Sequence, residues 1–439
     1  MSNIPALPVV VKPMKDAARA AKVSARWAMH RIKEITVTYL LDLPQFIVTG
    51  YWLERRGEQE IVHLYGMHRE EVAICPRCHQ VSMTYHDGQD RCVRDLDVWG
   101  KCTFLHFTSR RFDCERCGRP FTEKLACMDR QRRQTRRFEQ HIYRRCLSSS
   151  CKAVAQEAWL NEATAKAIFK RWAKRTMRWQ GAPRVRVLGI DEIALKKRHK
   201  QYALVLSDLE RHCVIAVLPE RSKERLACWF ADLSTAERKA IRVVSIDMWE
   251  PYRRAVQAML PHAQLVADRF HVMKQLNDRL TQMRRSIQRQ ADEATRQVLK
   301  GSRWLLVNNR NQLTPEEEAR LQEVLAASPK LRTVYLLKEE FRTICEKSQD
   351  RRQAERFLRA WLWKAEHTGD RFLLKFVKTL RNWWHEILNY FEDRVTNGFV
   401  EGINRAIRVI INRAYGYRNF ENFQLQIMAQ HGPPVPLPH

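Results

Sequence analysis

No stretch of this 439-residue chain approaches the ~18 continuous apolar residues of a membrane helix, which excludes a helical membrane protein. The start, with Ile4-Pro5-Ala6-Leu7-Pro8, lacks the charged region and long apolar run of a signal peptide, so a cytoplasmic, nucleoid-associated protein is expected. Internal repeats are absent. Acidic residues are scarce, 49 Asp plus Glu against 78 Lys plus Arg, for a net charge of +29. That surplus points to a polyanionic partner, because neutralising phosphates releases condensed counterions. A ribosome-associated or membrane-surface protein would share it. The hydrophobic fraction of 45% excludes a largely disordered chain, and the length suits on the order of two to four domains.

Cysteine is not scarce. Twelve are present, and in a cytosolic protein their spacing argues for metal rather than disulfides. Cys75-Pro-Arg-Cys78 and Cys114-Glu-Arg-Cys117 form two knuckles joined by strand-like sequence in which Phe104, His106 and Thr108 alternate with Leu105 and Phe107. Four thiolates with no open position define a structural Zn2+ site. Cys92, Cys102 and Cys127 lack paired spacing and read as buried core thiols; His79 and His106 are alternative ligands.

The expected organisation is multidomain α+β. Residues 1–67 hold a basic helix at 15–35 and a hairpin of strands 46–54 and 60–66 about Gly57. Residues 68–128 form a zinc ribbon-like module, and 129–180 a helix-turn-helix with helices near 134–147, 151–158 and 162–178, the last capped by Asn161. Ala165, Ile168, Phe169 and Trp172 form that helix's apolar stripe. Lys166, Lys170, Arg171, Lys174 and Arg175 make a cationic face suited to the DNA major groove. The solvated face of an ordinary bundle helix has the same pattern.

After a linker at 179–184, strands at 184–190, 201–207, 212–218, 242–246 and 263–267 alternate with helices at 221–232 and after Pro251. Three meandering strands followed by helix-linked ones suit a ribonuclease-H-like α/β core, its first part at 185–269. Residues 270–392 read as a large all-helical insertion, with Thr314-Pro-Glu-Glu317 as a capping box. The last part of the core spans 393–430, with a helix at 395–413, and a Pro-rich tail, read as disordered, occupies 431–439.

Asp191 and Asp247 close two strands expected to lie side by side and parallel, at the sheet edge where such folds place their ligands. On the 395–413 helix, Asn397, Glu401, Asn404 and Arg408 share a face opposite Phe399, Val400, Ile403, Ile407, Ile410 and Ile411. Packing of that apolar face on the sheet would turn Glu401 toward the two aspartates; a solvated glutamate is the plain alternative. Three converging carboxylates require cations, and hard oxygen ligands favour Mg2+ or Mn2+ for in-line displacement at phosphorus. Asp268 and His271, three apart at a helix start, are auxiliary candidates or a helix cap with a packed histidine. Glu192 should point to the other sheet face from Asp191. Lys196 to Lys200 form a basic loop, either phosphate-touching or solvated.

Gly189-Ile-Asp191-Glu, Asp247-Met-x-x-x-Tyr252, Ala267-Asp268-Arg-Phe-His271-Val and Asn397-Gly-x-x-Glu401-Gly-x-Asn404 resemble motifs of the ISL-three group of insertion-sequence transposases. Upstream, Cys75-Pro-Arg-Cys78 and Arg110-Arg-Phe-Asp-Cys114-Glu-Arg-Cys117 are similar to that group's zinc segment. The resemblance implies a DDE triad at Asp191, Asp247 and Glu401, a helical insertion before Glu401, and terminal inverted repeats and target DNA as double-stranded partners. It also implies a homodimer or larger assembly that holds two element ends. A transposase-derived DNA-binding regulator without catalysis and a junction-type nuclease are the competing functions.

Overall fold

The computed structural model describes residues 38, 41–179, 184–196, 201–395 and 398–434. The basic helix at 15–35, most of the loop at 196–200, Asn397 and the end of the Pro-rich tail lie outside the described residues. The chain divides into two compact units, Met1–Trp172 and Ala173–His439.

In the first unit, β1 (Phe46–Arg56) and β2 (Gln59–His68) form the expected hairpin about Gly57, whose φ of 61° suits a residue without Cβ. A second hairpin joins β5 (Tyr85–Val98) to β6 (Lys101–Cys114). Parallel pairing of β2 with β6 merges the hairpins in the order β1-β2-β6-β5, and β7 (Arg119–Thr122) adds to β6. Phe46, Val48, Val62, Leu64, Val93, Leu105 and Phe107 are buried together in this unit's core. Two short strands, β3 (Ala73–Ile74) and β4 (Val81–Ser82), flank the first cysteine knuckle.

Three helices follow. In α1 (Arg136–Ser148), Thr135 caps the start by accepting from the Phe138 N–H; Ser150 does the same for α2 (Cys151–Glu157) through Ala153. Trp159, at φ 55°, makes the turn, and Asn161 Oδ1 accepts from the Ala163 N–H at 2.8 Å to start α3 (Glu162–Trp179). The apolar stripe Ala165, Ile168, Phe169 and Trp172 is buried as expected.

The second unit is built on a five-stranded sheet ordered β10-β9-β8-β11-β12: β8 (Val187–Lys196), β9 (Gln201–Asp208), β10 (Cys213–Pro219), β11 (Val243–Ile246) and β12 (Gln264–Ala267). The first three meander antiparallel, and β8, β11 and β12 run parallel. Asp191 does not end its strand, contrary to expectation. Pairing of β8 with β11 stops at Ile190↔Ile246, but pairing with β9 continues to Lys196↔Gln201, so Asp191 lies where the sheet narrows to a protruding hairpin.

One apolar cluster joins Leu188, Ile190, Leu204 and Leu206 to α4 (Lys223–Asp232), α6 (Glu250–Met259) and the insertion. Between α4 and α6 lies the short α5 (Thr235–Ala240), started by a Ser234–Glu237 capping box. The insertion runs from α7 (Arg269–Gln290) through α8 (Glu293–Leu299), α9 (Arg303–Val307), α10 (Pro315–Ala326), α11 (Pro329–Lys347), α12 (Arg351–His367) and α13 (Arg371–Asn382) to α14 (Trp384–Asp393). The capping box expected at Thr314 starts α10. A second cluster takes the alternate residues Ile193, Ala203, Val205 and Val214 with α15 (Gly398–Arg413) and α16 (Phe420–His431). Strand alternation thus assigns the helices around β8 and β9 to two faces. The sequence reading contained neither α5 nor α16.

Candidate active site and DNA-binding modules

Asp191, Asp247 and His271 present ligand atoms within 4.8 Å of one another. Asp247 follows β11 directly, and Asp268 follows β12 and caps α7 by accepting from the Phe270 N–H at 3.1 Å. The cap places His271 one turn into α7, where Nδ1 pairs with Asp247 Oδ1 and lies 2.9 Å from Asp268 Oδ2. Asp268 and His271 therefore do face together. From the other side of β8, Asn404 Nδ2 donates to Asp191 Oδ2 at 2.5 Å, and the Glu192 N–H donates to Asp191 Oδ1 at 2.6 Å.

Burial, reinforced by the charge of Asp247, pushes the Asp191 carboxyl up to about 7. Burial alone would lower the His271 imidazole, but its contacts with Asp247 and Asp268 outweigh that and hold it up at about 10. The imidazolium is thus the cation of this acidic cluster. Asn404 Oδ1 is buried and has no hydrogen-bond partner among the described residues. Two carboxylates and an unsatisfied amide oxygen form a hard-oxygen donor set that fits a divalent ion, with the His271 imidazolium beside it rather than in it.

Glu401 is not brought to this cluster, a correction to the expected convergence. Its side chain is 47% exposed and pairs with Arg405 at 2.6 Å. The buried side of α15 consists of Val400, Ile403, Asn404, Ile407 and Ile410. Asn404 therefore sits with the apolar residues, and Glu401 projects about 60° further round the helix. Glu192 lies across the sheet from Asp191 as expected, but it is engaged there: Tyr252 Oη donates to Glu192 Oε1 at 2.8 Å, and Arg221 Nε lies 2.6 Å from the same oxygen. Sequence reasoning assigned nothing to Arg221, and Tyr252 entered only as a motif position.

In the first unit the four knuckle cysteines bring their sulfurs within 4.8 Å, with Cys78–Cys114 at 3.5 Å and Cys75–Cys117 at 4.0 Å. A zinc tetrahedron with 2.3 Å bonds has edges of about 3.8 Å, so the set fits Zn2+. His79, at φ 59°, and Gly118, at φ 61°, make the tight returns of the two knuckles. His106 is not a ligand here; it contacts His63 at 2.8 Å. Cys92 is exposed rather than buried, Cys102 is buried, and Cys127 is half-buried.

The cationic face of α3 is divided. Lys166 pairs with Glu162 at 2.6 Å and stays largely exposed, and Lys170 is half-buried. Arg171 is turned inward, a correction: it pairs with the buried Glu139, whose other oxygen accepts from Trp172 Nε1 at 3.0 Å. Lys174 is exposed and pairs with Glu421 at 2.6 Å, and Arg175 is half-buried.

Residues 188–427 match a family profile described as a transposase of the ISL3 DDE type. Residues 71–117 match the zinc-finger of the IS204/IS1001/IS1096/IS1165 transposases, and 123–173 the helix-turn-helix domain of transposase family ISL3. The chain belongs to the ISL3 family of DDE transposases, enzymes that cleave DNA and transfer its strands. It is 34% identical over 390 residues to the transposase for insertion sequence element IS1001 of Bordetella parapertussis, covering 87% of this chain and 95% of the relative. It is 26% identical over 395 residues to the transposase for IS1557 of Mycobacterium tuberculosis, covering 83% and 88%. Among the described residues no helix is long and apolar enough to cross a membrane.

Proposed function

We propose that this transposase binds the terminal inverted repeats of its own insertion sequence and that Asp191, Asp247 and Glu401 form its DDE triad. The observation that carries this is the convergence of Asp191, Asp247 and His271 at the C-terminal edge of the parallel strands. The strand order and alternation of β8 to β12 support a ribonuclease-H-like core. Asp191 and Asp247 would hold Mg2+ or Mn2+, which when bound polarises a phosphoryl oxygen and lowers the pKa of an attacking water. Asn404 fixes the orientation of Asp191. His271 keeps its proton between Asp247 and Asp268 and so holds the Asp247 carboxylate against electrostatic repulsion. In this reading Glu401, three residues before Asn404, releases Arg405 and joins the two aspartates when metal and DNA are bound. Zn2+ would staple the Cys75, Cys78, Cys114 and Cys117 knuckles, and α3 would meet DNA through Lys166, Lys170, Lys174 and Arg175. Holding two ends requires a homodimer or larger assembly.

The test is cleavage of duplexes carrying the element end, with Mg2+ or Mn2+, against scrambled and branched DNA. Cuts confined to the end-bearing duplex are expected. Equal cutting of branched DNA without the repeat would favour a junction nuclease.

A further inference from the structure

Arg221 stands two residues beyond the end of β10, at the sheet edge that also carries Asp191 and Asp247, since β10 runs antiparallel to β9 and β9 antiparallel to β8. Its backbone is held on both sides. Glu220 has a φ of 68°, an uncommon conformation for a residue with a Cβ, and Ser222 caps α4 by accepting from the Arg225 N–H at 3.1 Å. Its guanidinium is held as well. The carbon Cζ lies 4.2 Å from the centre of the Trp249 ring and 5.8 Å from that of Tyr202, and Nε lies 2.6 Å from Glu192 Oε1. Trp249 in turn packs edge-on against the fully buried Tyr252, whose hydroxyl donates to the same Glu192 oxygen.

Two of these anchors are tied to the aspartates of the cluster. Glu192 adjoins Asp191 in sequence, and Trp249 follows Asp247 by two residues. The side chain of Arg221 nevertheless remains 36% exposed. Its two terminal nitrogens form no hydrogen bond among the described residues. A structural ion pair needs only the carboxylate; here the guanidinium is stacked and oriented with its fork open. A rigid fork matches phosphate geometry and loses little rotamer entropy on binding. The cluster beside it is acidic and repels DNA, so a fixed cation at its rim has a defined task.

We infer that Arg221 is a phosphate-binding residue of the catalytic site, gripping the DNA backbone next to the scissile bond. Glu192, Trp249 and Tyr252 act through it as positioning residues. This rests on the reading that element-end DNA lies across the acid cluster. The bound group is a single backbone phosphate, and sequence recognition is left to the N-terminal modules.

The test uses the full chain with Ca2+, and end-bearing duplexes carrying one neutral methylphosphonate at successive positions around the cleavage site. The wild type should lose about tenfold in affinity at one position. Arg221→Ala should bind unmodified DNA about tenfold more weakly, show no further loss at that position, and have a salt-dependence slope lower by about 0.9. Arg221→Lys, which keeps the charge without the fork, should still sense that phosphate. Arg221→Ala should melt somewhat lower than the wild type, because Glu192 loses its cation, and Arg221→Lys should melt close to it; both are compared below their melting temperatures. Losses that add at every position, or wild-type affinity in Arg221→Ala, would overturn the contact. Cleavage of the same duplexes by the wild type with Mg2+ separates the two ideas: cleavage with additive losses overturns the Arg221 contact alone, and no end cleavage overturns both.

Discussion

Asn404 on α15 donates to Asp191 on β8 at 2.5 Å, joining residues 213 positions apart in the chain. The bond fixes the helix after the insertion to the middle of the sheet, one helical turn from Glu401. It also orients a carboxylate that burial disfavours in its charged form.

Removing that bond should slow catalysis more than it unfolds the protein. Asn404→Ala loses a hydrogen bond to a charged group, worth about 1.5–3 kcal/mol, or roughly 10- to 100-fold in rate. Single-turnover cleavage of end DNA measures this, and end binding through the N-terminal modules should be unaffected.

Stability without Mg2+ should fall as pH rises. Asp191, held up at about 7, keeps a proton in the folded state that an unfolded aspartate releases near 4; His271, held up at about 10, keeps one that an unfolded histidine releases near 6.5. In both cases the folded state binds more protons, so stability declines from about pH 4 to about pH 10. Melting of the zinc-loaded protein in buffer without Mg2+ should show a lower Tm at pH 8.5 than at pH 5.5. Added Mg2+ should raise Tm more at the higher pH, because Asp191 is then ionised, and Asp191→Asn should remove most of that rise.

The two sides of α3 should separate stability from DNA affinity. Arg171→Ala leaves Glu139 buried without its cation and should cost about 3–5 kcal/mol, seen as a lower Tm. Lys170→Ala should leave Tm unchanged and lower the salt-dependence slope of DNA binding by about 0.9.

Zinc removal should act on the first unit alone. Cys114→Ser, or a strong chelator, should abolish protection of the β5–β6 hairpin in hydrogen exchange, because the knuckle at Cys114 closes directly on the end of β6. Exchange in the β10-β9-β8-β11-β12 sheet of the second unit should be unaffected.

Legibility in the sequence followed the range of the interactions involved. The β1–β2 hairpin, the caps at Asn161 and Thr314 and both cysteine knuckles are set by neighbours a few residues apart, and local patterns revealed them. The nearness of Asp191 and Asp247 was legible because parallel strands share an edge. The position of Glu401 was not legible: periodicity placed it on the polar side of α15, whereas its distance from the aspartates depends on the rotation of that helix against the sheet. The inward turn of Arg171 was not legible, because a buried acid 32 residues upstream draws it in and the spacing of lysines and arginines carries no trace of that. Arg221 had no sequence mark, since its setting comes from three separate segments.

The most direct test of the central claim is metal-dependent cleavage and strand joining of end DNA by Asp191→Asn, Asp247→Asn and Glu401→Gln beside the wild type, with folding checked by melting. A loss of at least about a thousandfold in each variant, with end binding retained, is the predicted result. Wild-type cleavage by Glu401→Gln, or by either asparagine variant, would contradict the proposed triad.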